Sequence, residues 1–253
     1  MPRETVGRTF LVAFSVCVVF SVLVSTAAVT LRPIQEINKL LDKKKNILLA
    51  AGLMEEGKSI DDLFAAVEAK VVDLASGEYV AEVDPETYEQ REAVKDPSLS
   101  VEIAGTALAG IKRRAKYAPV YLVKKGGALD RVILPVHGKG LWSTLYGFIA
   151  LDTKDLSTIK GLVFYEHAET PGLGGEVDNP NWKALWKNKI AFGASGDVRI
   201  EVIRGSVVPG RPGSQHQVDG LSGATITSRG VSGLLKYWLG PAGFGPYLDK
   251  MRT

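Results

Sequence analysis

The amino-acid sequence predicts an α+β protein: a single N-terminal transmembrane helix, then a domain with a mostly antiparallel sheet flanked by helices. Three observations carry this. Residues 9–31 form a run of 23 residues without a charge, and a helix needs about 20 apolar residues to cross a bilayer core. Between residues 116 and 203, strand-like segments follow one another with only a short helical pattern among them, the order expected of an α+β fold. Residues 225–239 then place Ile226, Val231, Leu234, Leu235 and Trp238 at helical spacing, and Gly240-Pro241 stops them.

In chain order, residues 1–8 are a short tail. The span at 9–31 competes with a cleaved signal peptide, for which Ser25-Thr26-Ala27 is a passable cleavage site. The apolar run continues through residues 28–31, which favours a retained anchor. Residues 32–115 read as a membrane-proximal, helical stalk. Apolar residues at 34, 37, 40, 41, 47 and 48 predict a helix ended by Gly52. The SIDD sequence at 59–62 opens a second helix with a capping-box pattern, expected to run to about residue 70. Residues 75–100 are polar, hold Pro85 and Pro97, and predict turns with a short helix.

The domain core is expected over 116–253. Residues 117–123 and 129–136 are strands around a Gly126-Gly127 turn, a hairpin signature. Residues 143–151 and 159–165 are two further strands, separated by a polar turn at 152–156. Residues 180–188 read as a short helix, 198–203 as a strand, and 245–251 as a final helical turn.

The chain has 253 residues, 45% of them hydrophobic, which suits one large domain or two small ones. Its formal net charge is +3. Arg3, Glu4 and Arg8 precede residue 32, so 29 basic and 27 acidic residues remain beyond it. That near-balance offers no basic face for nucleic acid. Cys17, in the apolar run, is the one cysteine, so neither an intrachain disulfide nor a cysteine-held metal or cluster is possible. His137, His167 and His216 lie far apart without zinc-binding spacing, and no metal site is expected. Arg32, Lys39, Lys43, Lys44 and Lys45 closely follow the span, whereas Arg3 and Arg8 precede it. The charge count alone places the C-terminal part in the cytoplasm.

Three glycine-rich clusters are the candidate chemistry. GKGLWST at 138–144 combines glycines, which let a backbone approach a ligand closely, with the broad face of Trp142. HAETPGLGG at 167–175 fixes an unusual backbone with several free N–H groups, able to hold carbonyls or an anion. It matches neither a dinucleotide fingerprint nor a phosphate-binding P-loop. DGLSGATITS at 219–228 gathers four hydroxyls in seven positions just where a helix should start, and a helix N-terminus favours a phosphate. A loop with a core tryptophan, a tight connection and ordinary capping by Ser222 or Thr225 are the plainer readings of the three. Gly220 to Ala224 nearly spells a nucleophile elbow, but Ala occupies the last position and no histidine follows Ser222. No catalytic residue is therefore expected.

A single N-terminal anchor followed by GLWST, HAETPGLGGE and DGLSGATITS, in that order, resembles the C-subunit family of the sodium-translocating NADH:quinone reductases over almost the whole chain. The Ser-Gly-Ala-Thr motif is similar to the flavinylation signature of FMN-binding domains. The resemblance implies an electron-carrying flavoprotein subunit of a bacterial inner-membrane complex that oxidises NADH, reduces ubiquinone and exports sodium. It implies FMN joined covalently through its phosphate to Thr225. It also implies a separate flavin transferase that installs FMN from FAD with magnesium, recognising Asp219, Ser222, Gly223, Ala224 and Thr225. Leu141, Trp142, Thr170, Gly172, Leu173 and Gly174 are the best candidates to contact the ring, and Arg229 could add charge near the phosphate. Other subunits of the complex are the implied partners, with lipid around residues 9–31. The resemblance places the domain on the periplasmic side, against the lysine count. Two alternatives accompany it: the related G subunit of Rnf-type electron-transport complexes, and an anchored, cofactor-free scaffold.

Overall fold

The computed structural model describes residues 5–103 and 109–252. Arg3 and Glu4 of the charge comparison, half of the expected tail, part of the expected stalk (104–108) and the last residue lie outside them. The chain divides into two compact units between Lys43 and Lys44.

The first unit holds most of helix α1, Val6–Ala51. Its most apolar 18-residue window has a mean hydropathy of 2.5 and is unburied, and among the described residues no other helix is long and apolar enough to cross a membrane. The span and the following helix, expected as separate elements, are one. Pro33 removes one backbone donor inside α1 without ending it.

In the second unit, α1 ends as expected at Gly52, whose φ is +64°. The Leu53 N–H closes back onto the Leu48 carbonyl at 2.9 Å, a glycine-dependent helix stop. The elements that follow are α2 (Ile60–Phe64), β1 (Val67–Asp73), α3 (Gln90–Ala93), β2 (Ser100–Glu102), β3 (Arg113–Ala115), β4 (Tyr117–Lys125), β5 (Ala128–Lys139), β6 (Thr144–Asp152), β7 (Ile159–Glu166), α4 (Pro180–Ala184), β8 (Glu201–Val202), β9 (Gln217–Val218), α5 (Thr225–Leu239) and α6 (Gly245–Arg252).

One five-stranded antiparallel sheet in the order β1-β4-β5-β6-β7 organises the unit. Gly126 and Gly127 both have positive φ, which suits the tight β4–β5 turn to the strand twist. The second predicted helix needs correction. Ser59 does cap α2, accepting from the Asp62 N–H at 3.1 Å, but α2 stops at Phe64. Residues 67–73 pair with β4 instead, Val67 opposite Val123 and Asp73 opposite Tyr117. Val67, Ala69 and Val71 alternate with Glu68, Lys70 and Val72, the period of a strand. The sheet thus draws in a segment expected in a helical stalk. The strand expected at 198–203 shrinks to β8, which pairs in parallel with β9 outside the main sheet, and the helix at 180–188 shrinks to α4.

Each face of the sheet is covered. On one, Ile47, Ala50 and Ala51 from the end of α1 pack against Tyr121, Ile133, Phe148 and Val163. Gly161 makes room, since a Cβ there would lie 2.5 Å from the Ala50 carbonyl oxygen. On the other, Leu234, Leu235 and Trp238 of α5 join residues of β5 and β6, including Leu134, Val136 and Leu145. The Trp238 indole donates to the His137 carbonyl at 2.6 Å. Gly138 and Gly230 allow this helix–sheet approach. A Cβ on Gly138 would meet Leu234 Cβ at 2.5 Å, and one on Gly230 the Lys139 carbonyl at 2.4 Å. The first turns of α5 are thereby held against the β5–β6 loop.

Candidate functional site

The three clusters meet. The first forms the loop between β5 and β6, closed by the Gly140 N–H on the Ser143 carbonyl at 2.8 Å. The second leaves β7 and folds on itself, the Thr170 carbonyl accepting from the N–H groups of Leu173 (3.1 Å) and Gly175 (2.9 Å). The third turns at Leu221–Ala224 and enters α5. Gly223 has a φ of +69°, and a Cβ on it would strike Leu173 Cδ2 at 2.7 Å, so glycine is needed there both for the turn and for the second cluster's approach.

Glu169 joins all three. Its side chain is buried, the residue being 5% exposed. Oε1 accepts from the N–H groups of Trp142 (2.9 Å) and Ser143 (3.0 Å) and from Ser143 Oγ (3.1 Å). Oε2 accepts from the Leu141 N–H (3.1 Å) and from Thr227 Oγ1 (2.6 Å). Burial works against the charged form. The Thr227 hydroxyl and the backbone donors of Leu141, Ser143 and Trp142 outweigh it and hold the carboxyl at about 2. A Cβ on Gly140 or Gly174 would intrude on this carboxylate at 2.6 and 2.8 Å.

The four hydroxyls of the third cluster separate into two kinds. Thr227 is 1% exposed and spent on Glu169. Ser228 is buried, and its Oγ accepts from the Leu221 N–H at 3.1 Å. Ser222 and Thr225 are exposed, and among the described residues their hydroxyls have no hydrogen-bond partner. Thr225 is the first residue of α5. The residue before it, Ala224, gives no side-chain cap, and the first turn holds no acidic side chain. Alanine is among the poorest N-caps, so this helix start forgoes about 1 kcal/mol that Ser or Asp would supply. Its first-turn N–H groups are left for another acceptor.

Around that start the surface is apolar. Leu141, Trp142, Leu173 and Ile226 are all large and exposed, Trp142 by 68%. Arg229, four residues after Thr225 on the same helix, is exposed and free of partners among the described residues. An uncapped helix start with a free hydroxyl, an apolar flank and an uncommitted cation fits a flat aromatic group carrying a phosphate. Gly172 has a φ of +75°, and Thr170 and Gly172 are exposed beside Leu173. Asp219 is half-buried and partly engaged, Oδ1 accepting from the Val207 N–H at 2.8 Å.

The histidines have structural work. His167 accepts from the Glu169 N–H at Nδ1 (3.2 Å), so its Nε2 carries the proton and donates to Asp178 at 2.8 Å. His216 Nδ1 donates to the Ile190 carbonyl at 2.8 Å. Burial, with Arg91 nearby, depresses His137 to about 4, and it stays neutral between Tyr146 and Trp238. Among the described residues no group of His, Cys, Asp or Glu could hold a metal ion.

Sequence reasoning names the loops but misses Glu169, Ser143 and Thr227 as the residues that join them. The signal open to it is an acid inside a loop otherwise made of small and apolar residues.

Comparisons with known proteins agree in kind. Residues 140–240, which contain all three clusters' central residues, match the FMN-binding domain family. A Pseudomonas aeruginosa protein, named as the C subunit of a Na(+)-translocating NADH-quinone reductase, is 53% identical, over 99% of this chain and 97% of its own length. A Vibrio vulnificus protein of the same name is 46% identical over 99% and 97%. The crystal structure of Shewanella oneidensis NqrC superposes with a TM-score of 0.79 at 36% identity, covering 85% of this chain and 99% of that one. The corresponding protein from Parabacteroides distasonis gives 0.65 at 30%, covering 86% and 96%.

Proposed function

The chain belongs to the C-subunit family of the Na+-translocating NADH-quinone reductases, and from that premise we propose that it carries FMN covalently, through a phosphoester on Thr225, and relays electrons inside such a complex. One observation carries the attachment site. Of the four clustered hydroxyls, Thr227 and Ser228 are buried and bonded, whereas Thr225 is exposed, has no partner among the described residues, and opens a helix without a side-chain cap. Ser222 is also exposed, but it precedes the helix and lacks that dipole.

FMN when bound supplies the electron-transfer chemistry; the chain supplies position and electrostatics. Thr225 Oγ1 would hold the phosphorus. The first-turn N–H groups of α5 and the Arg229 guanidinium would meet the phosphate charge. Leu141, Trp142 and Leu173, with Thr170, Gly172 and Gly174 next to Leu173 in its loop, would shield the ring from water. In the same reading Asp219, Ser222, Gly223 and Ala224 form the turn that a flavin transferase recognises. The maturation step uses FAD: the threonine oxygen forms a bond to the FMN-side phosphorus, AMP leaves, and the hydroxyl proton is released.

The relatives' names favour this family over the Rnf-type reading. The role we propose is therefore a carrier between redox partners of a membrane complex that moves electrons from NADH to quinone and couples them to sodium export. It is anchored in the inner membrane by residues 9–31, with residues 32–253 on the periplasmic side. A tether far from the ring keeps the cofactor bound in every redox state without altering its chemistry.

Peptide mass spectrometry after expression with the transferase tests the site. The peptide containing Thr225 should gain the mass of FMN less one water. The in-gel flavin fluorescence of the denatured chain should vanish in Thr225→Ala, and fragmentation of the modified peptide should put the added mass on Thr225 and not on Ser222. Absence of both signals from the wild-type chain would leave the cofactor-free scaffold.

A further inference from the structure

Resting on that reading, we infer that Glu169 is the positioning residue of the flavin site: one buried carboxylate that fixes the Leu141–Trp142 loop relative to the first turn of α5 before any flavin is attached. Five donors converge on its two oxygens. Three are consecutive backbone N–H groups, of Leu141, Trp142 and Ser143, and two are the hydroxyls of Ser143 and Thr227. Among the described residues no cation pairs with it, so there the buried charge is met by dipoles, an arrangement that holds only while every donor stays aimed.

The partners decide what the clamp does. Trp142 and Leu141 are the exposed apolar residues of the β5–β6 loop. Thr227 lies two residues beyond Thr225 on α5. The carboxylate therefore bridges the two sides of the surface on which a ring tethered at Thr225 must rest. Ser143 Oγ closes the arrangement, donating to Glu169 and accepting from the Ala168 N–H at 2.8 Å. Gly140 and Gly174 leave the space the carboxylate fills. Glutamine at this position would present an NH2 group to one set of donors, releasing either Trp142 and Ser143 or Leu141 and Thr227.

The test uses the full-length chain in detergent, with two readouts. In flavin-free Thr225→Ala protein, amide hydrogen exchange reads the clamp itself. Glu169→Gln and, separately, Thr227→Val should each lower protection at 141–143 by about tenfold or more, the scale of losing a hydrogen bond to a charged group. In protein co-expressed with the transferase, flavin fluorescence anisotropy reads positioning: both variants should give a more mobile flavin at unchanged Thr225 attachment, and Thr227→Ser, which keeps the hydroxyl, should restore the wild-type value. Thr227→Val covers the case in which Glu169→Gln does not fold. Unchanged protection at 141–143 in a folded Thr227→Val chain would overturn the clamp. Lost protection with an unmoved flavin would overturn the positioning role. A wild-type chain without flavin would instead sink the reading on which this one rests, while the exchange arm still reports on the carboxylate.

Discussion

Thr225 and Glu169 lie on either side of what single residues in a sequence can reveal. Thr225 is singled out by its local surroundings: small residues before it, a helical period after it, and no base in its motif to make it a nucleophile in its own right. Glu169 is not legible, since a carboxylate's role depends on which donors the fold brings to it, and Leu141 and Thr227 arrive from 28 and 58 residues away. Its low pKa has a consequence for stability. The folded value of about 2 lies below the ordinary 4.5, so its ionised form favours the folded state. That contribution is complete above about pH 4.5 and is lost as pH falls toward 2. Thermal unfolding of the wild-type chain and Glu169→Gln, followed from pH 7 to pH 2, should show a gap in Tm that is constant down to about pH 5 and then closes. A gap that persists at pH 2 would mean that the charge is not what the donors stabilise.

At the scale of elements, helices announce themselves and one strand does not. The α5 boundaries follow from apolar spacing and Gly240-Pro241. The β4–β5 hairpin follows from Gly126-Gly127. By contrast β1 reads locally as the continuation of a helix. The Ser59 cap is genuine, no proline or glycine separates it from Val67, and the strand's partner lies about 50 residues on in β4. Strand pairing of that range overrides a local helix signal. The end of α1 shows the same principle from the other side. Ile47, Leu48, Ala50 and Ala51 are fully buried in the second unit, and the Arg131 guanidinium donates to the Ala51 carbonyl at the helix end. The last two turns of α1 are therefore part of the domain core. A fragment of residues 44–253 should unfold cooperatively, whereas 52–253 should be markedly weaker. Burying Ile47 and Leu48 alone is worth roughly 3–6 kcal/mol. At about 2–4 °C per kcal/mol for a domain of this size, Tm should fall by at least about 6 °C. Equal melting of the two fragments in calorimetry would show that α1 only rests on the sheet.

For the whole molecule, two arguments conflict over the side of the membrane on which residues 44–253 lie. Lys39, Lys43, Lys44 and Lys45 after the span point to the cytoplasm, while the family resemblance points to the periplasm. The charge rule acts on short loops near a span, and large domains are translocated largely regardless of it. The residues from Lys44 onward form one compact unit of just such a size. Lys44 is moreover an element of that unit, paired with Asp61 at 2.5 Å, so its position answers to the folded domain as well as to the membrane. The flavin reading adds a constraint, because Thr225 must be reached by its transferase on the side where the domain folds. The periplasmic placement therefore makes a joint prediction. Protease added to intact spheroplasts should digest residues 44–253, and a transferase retained in the cytoplasm should leave Thr225 unmodified while an exported one modifies it. Protection of the domain until the membrane is lysed, together with flavin attached by the cytoplasmic enzyme, would reverse the orientation and return the decision to the lysines.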